Sequence, residues 1–355
     1  MRLARTLAAG IAAIALVSAC TQKEAGMDPT AARIDTKDER YTFALAEGVT
    51  RTKVTFRNHF GIELAGDLYA PQADGGKPSA ALAICGPFGA VKEQSSGFYA
   101  NQMAARGFVA LAFDPSFTGE SGGEPRYMNS PDINTEDFMA AVDFLSTRGG
   151  IDPEKIGIIG ICGWGGMAIN AAAIDTRVKA TVAATMYDMS RVTANGYFDG
   201  DDSAGARDAA RRALMAQRTA DFKAGSYKLG GGVVDPLPDD APQFVKDYYA
   251  YYKTPRGYHA RSLNSNGGWN VTAATSLLNA RLLAYADEIR SAVMVLHGEN
   301  AHSRYFGEDA FKRLTGDNKE LVIVPGATHC DLYDGGDGNC IPFDRLADFF
   351  TTYLQ

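Results

Sequence analysis

The sequence predicts an α/β fold, in which a mostly parallel sheet carries helices on both faces. Short apolar runs rich in valine, isoleucine and alanine recur along the chain, and helical segments separate them. Runs such as 80–85 and 156–161 carry no charged side chain, which is typical of strands that are buried on both faces of a parallel sheet. The alternation of these strands with helices indicates one sheet that is covered on both sides.

The predicted strands and helices follow one another in a simple order. The alternating segments 51–57 and 62–69 flank the turn 58–61 and predict an antiparallel hairpin at the start. In the segment 134–148, Thr135 can cap a helix whose apolar residues share one face. The further predicted strands are 80–85, 108–113, 156–161, 178–186, 292–297 and 320–324, and the further predicted helices are 95–106, 167–174, 304–314 and 343–354.

The alternation stops between residues 189 and 285. This segment is charged, helical in tendency and aromatic, with four tyrosines between positions 248 and 252. An insertion at this point would lie over the carboxyl ends of the strands, where open α/β sheets bind ligands. We therefore predict a helical lid insertion at 189–285 between the two parts of a core, 46–188 and 286–355. A surface excursion whose aromatic residues pack on one another is the alternative.

The segment 155–167 predicts the reactive centre. An apolar strand leads into Cys162, glycines surround this cysteine, and an alanine-rich helix follows. A strand, a tight glycine turn with a nucleophile at its tip and a helix together indicate a nucleophile elbow. The backbone N–H of Gly163 can then face a developing oxyanion. Trp164 stands where the usual G-x-S-x-G pattern has its last glycine, so a buried, inert cysteine is the alternative.

Among the five histidines, His329 is the predicted base. It lies directly after the last predicted strand, where this arrangement places its base, and it follows the cysteine in the chain. We interpret His59 as solvent-exposed in the hairpin turn and His259 as a lid residue that could touch substrate. His297 is interpreted as a buried hydrogen-bonding group, and His302 is ambiguous.

From residue 54 to the end, the chain resembles the α/β-hydrolases, and its cysteine elbow resembles their dienelactone-hydrolase-like branch. The resemblance rests on the elbow and on the loop of His329, and it implies a Cys-His-acid triad. Gly-Pro-Phe-Gly at 86–89 matches the loop that supplies the other oxyanion donor, which implies the N–H of Phe88 beside that of Gly163. The implied activity is hydrolysis of an ester, lactone or thioester of a small-molecule acyl substrate through an acyl-enzyme, with no cofactor.

The acid of the triad is where the chain departs from this family. The common position follows the strand that ends at His297, usually as H-G-x-x-D, but Ala301 stands there. Glu299 is close to that position, and Asp188 lies at the other place that this fold uses, after the strand that follows the elbow helix. We predict Asp188 in preference to Glu299, and we interpret Asp331 as a group that stabilises the loop of the base.

Two other functions are compatible with the same residues. An acyltransferase would form the same acyl-enzyme and resolve it with an alcohol or an amine instead of water. A non-catalytic, lipid-anchored binding protein would keep the fold without the reaction, and Ala301 at the usual acid position gives that alternative some weight.

The first residues predict export. Residues 1–19 combine two arginines with an apolar stretch and small residues, which indicates a signal peptide. Cys20 directly after Val-Ser-Ala resembles a bacterial lipobox, which implies cleavage before Cys20 and a lipid on this residue. Residues 20–45 then predict a tether that anchors an exported lipoprotein, periplasmic or at the cell surface, to the membrane.

Composition narrows the possible partners. Apolar residues make up 46% and charged residues 22% of the chain, as in globular proteins, and the formal net charge is −7. No basic cluster follows the predicted signal peptide, which argues against a nucleic-acid partner. The five cysteines show no metal-binding spacing, and Cys330 and Cys340 flank a glycine-rich loop that suits a disulfide in an oxidising compartment.

Overall fold

A computed structural model describes residues 40–72 and 79–355 of the protein. Within these residues, eight strands form a single sheet, and eleven α-helices accompany it. The strands are β1 (Val49–Arg57), β2 (Glu63–Pro71), β3 (Ser79–Cys85), β4 (Val109–Phe113), β5 (Ile151–Ile161), β6 (Val178–Ala184), β7 (Ala292–Gly298) and β8 (Lys319–Val324). The helices are α1 (Ser95–Ala104), α2 (Pro131–Ser146), α3 (Gly163–Ile174), α4 (Met189–Asn195), α5 (Ala204–Ala224), α6 (Gln243–Tyr252), α7 (Leu263–Asn266), α8 (Ala274–Leu278), α9 (Arg304–Arg313), α10 (Asp331–Asp334) and α11 (Phe343–Tyr353).

The sheet confirms the predicted fold class. Its strand order is β1-β2-β4-β3-β5-β6-β7-β8. The pairs β1–β2 and β2–β4 are antiparallel, and the remaining five pairs, from β4–β3 to β7–β8, are parallel. The central strands are buried on both faces because helices cover both sides, and this explains their continuous apolar sequence. The loops after β3, β5, β6, β7 and β8 all leave the same edge of the sheet, since parallel strands share one carboxyl end.

Two helices begin earlier than the sequence predicts. Helix α2 begins at Pro131, and the Ser130 hydroxyl caps it by accepting a hydrogen bond from the N–H of Ile133 at 3.4 Å. Thr135 is therefore inside the helix, where its hydroxyl donates to the carbonyl of Pro131 at 2.6 Å. Helix α3 begins at Gly163, so the three glycines that follow Cys162, at 163, 165 and 166, belong to the helix and not to a loop before it.

Helices α4 to α8 occupy the segment between β6 and β7, and most of them pack against the core. The tyrosine-rich helix α6 buries Tyr248, Tyr251 and Tyr252. After α6, the buried guanidinium of Arg261 pairs with Glu93, which lies in the loop after β3. Helix α5 differs, because most of its side chains are exposed. No helix in the described ranges is long and apolar enough to span a bilayer.

Two sequence predictions fall outside, or partly outside, the described residues. The predicted signal peptide, Cys20 and the tether up to residue 39 are not described.

Among the described cysteines, Cys85, Cys162, Cys330 and Cys340 are all free thiols. Cys330 and Cys340 therefore form no disulfide in this structure, and the Cys340 sulfur lies 3.7 Å from the carbonyl oxygen of Asp331.

Candidate active site

Cys162 is at the tip of a sharp turn between β5 and α3. Its backbone has φ 59° and ψ −127°, a left-handed conformation that is strained for a residue with a side chain. Three backbone hydrogen bonds hold this conformation in place: the N–H of Cys162 donates to Ala184 at 2.9 Å, and its carbonyl accepts from Gly165 and Tyr187, each at 2.9 Å. The strand, the turn and the helix thus present the sulfur at the carboxyl edge of the sheet.

Close contacts explain why glycines surround this cysteine and why a tryptophan is tolerated. A Cβ on Gly160 would lie 2.1 Å from the carbonyl oxygen of Trp164, and a Cβ on Gly165 would lie 2.4 Å from the Cβ of Met186. The space that requires a glycine is thus at position 165, one residue later than in the usual pattern. Trp164 is buried and packs edge-on against Phe138, with ring centroids 5.8 Å apart.

The backbone N–H groups of Phe88 and Gly163 lie beside the Cys162 thiol, and a Cβ on Gly163 would lie 2.8 Å from that of Phe88. Burial raises the pKa of the thiol, and interactions with the Tyr333 hydroxyl, with these two N–H groups and with the Tyr248 hydroxyl act against that rise. Two donors that converge beside a nucleophile form the arrangement that stabilises an oxyanion during acyl transfer.

The insertion holds the loop of Phe88 in position. The side-chain amide of Asn264 donates to the carbonyl of Phe88 at 2.8 Å, and the hydroxyl of Ser262 donates to the carbonyl of Gly89 at 2.9 Å. The ring of Phe88 also stacks on Trp269, with centroids 4.3 Å apart. Sequence reasoning gave none of these three residues a role at this loop, because only the folded chain brings the insertion against the loop after β3.

His329 lies in the loop between β8 and α10, and only 1% of its surface is exposed. Its Nε2 lies 2.9 Å from the hydroxyl of Tyr333, and its Nδ1 lies 2.8 Å from the hydroxyl of Thr185 and 2.6 Å from that of Ser303. Burial lowers the pKa of His329 well below 6.5, so the ring is neutral at pH 7. Asp331 accepts hydrogen bonds from the N–H and hydroxyl of Thr328, which confirms that this aspartate stabilises the loop.

Neither predicted acid contacts His329 in the described part of the chain. Asp188 caps α4 by accepting hydrogen bonds from the N–H groups of Ser190 and Arg191, each at 3.0 Å. Glu299 is exposed and accepts from the N–H of Gly326 at 2.8 Å. The expectation of a carboxylate beside the imidazole is therefore corrected: both loops where an acid was expected do reach His329, but they supply hydroxyls.

A second hydrogen-bonded path leads from Cys162 to another histidine. The hydroxyl of Tyr248, which contacts the sulfur, lies 3.0 Å from that of Tyr187, and the latter hydrogen-bonds to Nε2 of His302. The rings of His302 and His329 are 5.1 Å apart. His302, ambiguous in the sequence, thus lies beside the predicted base and belongs to the site.

The other three histidines lie elsewhere. His59 is exposed near Glu136, as predicted. His259 is buried in the insertion, where its Nδ1 accepts from the N–H of Arg261 at 3.2 Å. His297 is buried as predicted, but neither of its ring nitrogens has a hydrogen-bond partner among the described residues, because Gly307 packs directly against the ring.

The site is closed in this conformation. Only 6% of Cys162 is exposed, and the hydroxyl of Tyr248 from α6 is among the groups beside its thiol. A cleft of about 900 Å³ lies nearby, but neither Cys162 nor His329 lines it. Its wall includes Phe306, whose ring packs against Tyr187 of the site with centroids 4.9 Å apart. The described residues contain no cluster of three side chains that could hold a metal ion.

The chain is similar to several known proteins. It is 53% identical to the uncharacterized protein PA2218 of Pseudomonas aeruginosa over 314 residues, which covers 88% of this chain and 83% of that one. The crystal structure of PA2218 superposes with a TM-score of 0.85 over 88% of this chain and 96% of that one, at 52% identity. The thiohydrolase aneE of Aspergillus aculeatus is 39% identical over 137 residues, which covers 39% of this chain and 42% of aneE.

The fold and the family agree. The structure of the alpha/beta hydrolase GrgF from Penicillium superposes with a TM-score of 0.70 at 20% identity, over 86% of this chain and 99% of that one. The sequence profile of the X-Pro dipeptidyl-peptidase (S15) family matches residues 61–331, more than half of the chain. The chain therefore has the α/β-hydrolase fold and belongs to the X-Pro dipeptidyl-peptidase (S15) family.

Proposed function

We propose that this protein is a cysteine hydrolase that cleaves thioesters or esters of a small acyl group through an acyl-enzyme on Cys162. His329 takes the proton of the thiol, and the N–H groups of Phe88 and Gly163 stabilise the oxyanion. In this proposal the cysteine elbow is of the dienelactone-hydrolase type, and the hydroxyls of Thr185 and Ser303 orient the imidazole.

One observation carries this proposal: Cys162 has a strained, left-handed backbone at the elbow, with the backbone N–H groups of Phe88 and Gly163 beside its thiol. A cysteine that only filled space would not need a conformation that costs of order 1–3 kcal/mol. The same conformation places a nucleophile beside an oxyanion hole.

The proton states favour general-base catalysis over a preformed ion pair. Burial raises the pKa of Cys162 and lowers that of His329, so both groups are neutral at rest. The thiol therefore loses its proton as it attacks the carbonyl, when charge moves to the oxygen in the oxyanion hole. A hydroxyl at Nδ1 can orient the ring, but it cannot neutralise an imidazolium as a carboxylate does.

This arrangement suits thioesters and esters better than peptides. A thiolate leaves with little help, since thiols ionise near pH 8.5, whereas an amine must be protonated to leave. The similarity to aneE, which is named a thiohydrolase, supports the same substrate class. Because the sulfur is buried, the groups packed around it have to move before a substrate can enter.

The test is a comparison of substrates and nucleophile variants. We expect turnover of N-acetylcysteamine thioesters or p-nitrophenyl esters, and an acyl adduct on Cys162 in intact-protein mass spectra. Cys162→Ala should lower turnover by at least about 10³-fold, because the nucleophile is lost. Cys340→Ala removes a thiol away from the elbow and is the matched control.

Two results would contradict the proposal. The first is full esterase and thioesterase activity in Cys162→Ala. The second is a preference for a dipeptidyl-proline anilide over every thioester and ester. Added alcohols or amines in the same assay separate hydrolysis from acyl transfer, because a transferase would give the new ester or amide as its main product.

The same proposal places the enzyme at a membrane through a lipid on Cys20. The arginines, the apolar stretch and the lipobox-like Val-Ser-Ala-Cys support it. Cells fed with labelled palmitate should label the full chain, and Cys20→Ser should abolish the label. An unlabelled full chain would contradict the anchor but not the reaction.

A further inference from the structure

A single tyrosine hydroxyl stands between the proposed nucleophile and the proposed base. The hydroxyl of Tyr333 lies 2.9 Å from Nε2 of His329, and the same hydroxyl interacts with the Cys162 thiol, whose pKa it lowers against the effect of burial. Nε2 is the nitrogen that a base of this kind uses toward its nucleophile. In this structure that nitrogen contacts a phenol, and the phenol contacts the sulfur.

The partners of Nδ1 determine the direction in which a proton can move. The hydroxyl of Thr185 contacts Nδ1 at 2.8 Å and also donates to the carbonyl oxygen of His329 at 3.4 Å. A hydroxyl oxygen can accept from an Nδ1–H, and with the proton on Nδ1 the hydrogen of the Thr185 hydroxyl remains available to the carbonyl oxygen of His329. Nε2 then carries a lone pair and accepts the hydrogen bond of Tyr333.

The position of Tyr333 is fixed by packing. The side chain is fully buried, and its ring packs edge-on against Tyr251 and Tyr252, with centroids 5.0 and 6.1 Å away. Tyr333 is four residues after His329, at the third position of α10, so both side chains belong to one short rigid segment. Burial raises the pKa of this phenol well above 10, so it stays neutral and passes a proton on without storing the charge.

We propose that Tyr333 is a catalytic residue, which relays the proton between the sulfur of Cys162 and Nε2 of His329. This inference rests on the proposed function and adds a residue to it. In acylation, the S–H bond breaks and its proton moves to the oxygen of Tyr333, while the O–H proton of Tyr333 moves to Nε2. The sulfur forms a bond to the carbonyl carbon.

The remaining steps return the proton by the same route. When the tetrahedral intermediate collapses, the leaving thiol or alcohol departs and takes the proton from the imidazolium through the phenol. In deacylation, water attacks the carbonyl carbon and its proton passes to Nε2. The bond between carbon and sulfur then breaks, the acid leaves, and the proton returns to the thiol. No oxidant or reductant takes part.

The alternative is that Tyr333 only fills the site at rest and turns away when the substrate enters. The two possibilities predict opposite effects of removing the hydroxyl. A relay loses its proton path, whereas a plug becomes easier to displace, and His329 would then contact the sulfur directly.

The test compares Tyr333→Phe with Tyr251→Phe, which removes a hydroxyl from the ring that packs against Tyr333 but leaves the relay intact. We expect Tyr333→Phe to lower kcat/KM for an N-acetylcysteamine thioester by about 10²–10⁴-fold, the usual contribution of general acid–base catalysis. Tyr251→Phe should remain within threefold of the unmodified protein. Thermal unfolding of both variants shows whether each still folds.

Two further measurements respond to a relay and not to packing. The solvent-isotope proton inventory of the unmodified protein should be curved, because two protons move together, and it should be linear in Tyr333→Phe. The rate at which iodoacetamide alkylates Cys162 at pH 7, followed by peptide mass spectrometry, should fall in Tyr333→Phe. This second rate needs no knowledge of the substrate.

The outcomes separate the relay from the function on which it rests. If Cys162→Ala is inactive and Tyr333→Phe keeps or exceeds the activity of the unmodified protein, the relay is wrong and the nucleophile stands. A proton inventory that is the same in both proteins also overturns the relay. If Cys162→Ala stays active, the proposed function itself is wrong, whatever Tyr333→Phe does.

Discussion

The hydroxyls of Thr185 and Ser303 take the place of an acid, and their removal tests this directly. Each contacts Nδ1 of His329, at 2.8 and 2.6 Å, and both residues are fully buried. Loss of one hydrogen bond costs about 0.5–1.5 kcal/mol, which corresponds to a two- to twelvefold lower kcat/KM for Thr185→Val or Ser303→Ala. The double variant leaves a buried N–H unsatisfied, at about 1–3 kcal/mol, so its kcat/KM should fall roughly 5- to 150-fold.

The matched control is Asp188→Asn, because asparagine caps a helix as well as aspartate does. Asp188 accepts its hydrogen bonds from α4, so we expect this variant to keep kcat/KM within twofold and to unfold at the same temperature. The assay is thioester hydrolysis, followed by release of the thiol, together with thermal unfolding of each variant. A loss of about 10⁴-fold in Asp188→Asn, as for the aspartate of a serine protease triad, would refute the reasoning.

Three further predictions follow from burial and close packing. Burial lowers the pKa of His297 and His302 to about 3 and that of His329 well below 6.5, so the unfolded chain takes up protons that the folded one does not. The contribution of these three neutral histidines to the free energy of unfolding is therefore present above pH 6.5 and is lost as the pH falls below it, by about 4 kcal/mol per pH unit. Urea unfolding at pH 7 and 5.5 measures this loss. His297→Leu should reduce that slope by about a third; an unchanged slope would show that this ring is protonated in the folded state. Gly163→Ala should lower kcat by at least about 10²-fold, because its Cβ would lie 2.8 Å from that of Phe88 and displace an oxyanion donor, and unchanged kinetics would exclude this hole.

Local patterns predicted most of the fold. The apolar runs became buried strands and the alternating segments became the hairpin of β1 and β2, because burial on one or two faces is visible as a period in the sequence. The start of α2 was missed by three residues, since Ser130 and Pro131 begin a helix as well as Thr135 does.

The acid of the predicted triad shows where such reasoning ends. The sequence places Asp188 and Glu299 in the correct loops, but the direction of a loop side chain depends on what it contacts in space. Asp188 instead satisfies the free N–H groups at the start of α4, and Ser303 occupies the position beside Nδ1. Nothing in the sequence distinguishes Ser303 from any other serine in a loop.

By itself, the sequence determined the strand–turn–helix that presents Cys162, because the sterics of glycine and the period of apolar residues act over a few neighbouring positions. Only the tertiary structure decided what surrounds that sulfur: Phe88 from the loop after β3, Tyr248 from α6 and Tyr333 from α10. These groups are distant in the chain and meet because parallel strands release their loops at one edge of the sheet. Their contacts depend on the packing of the whole domain, which no local pattern encodes.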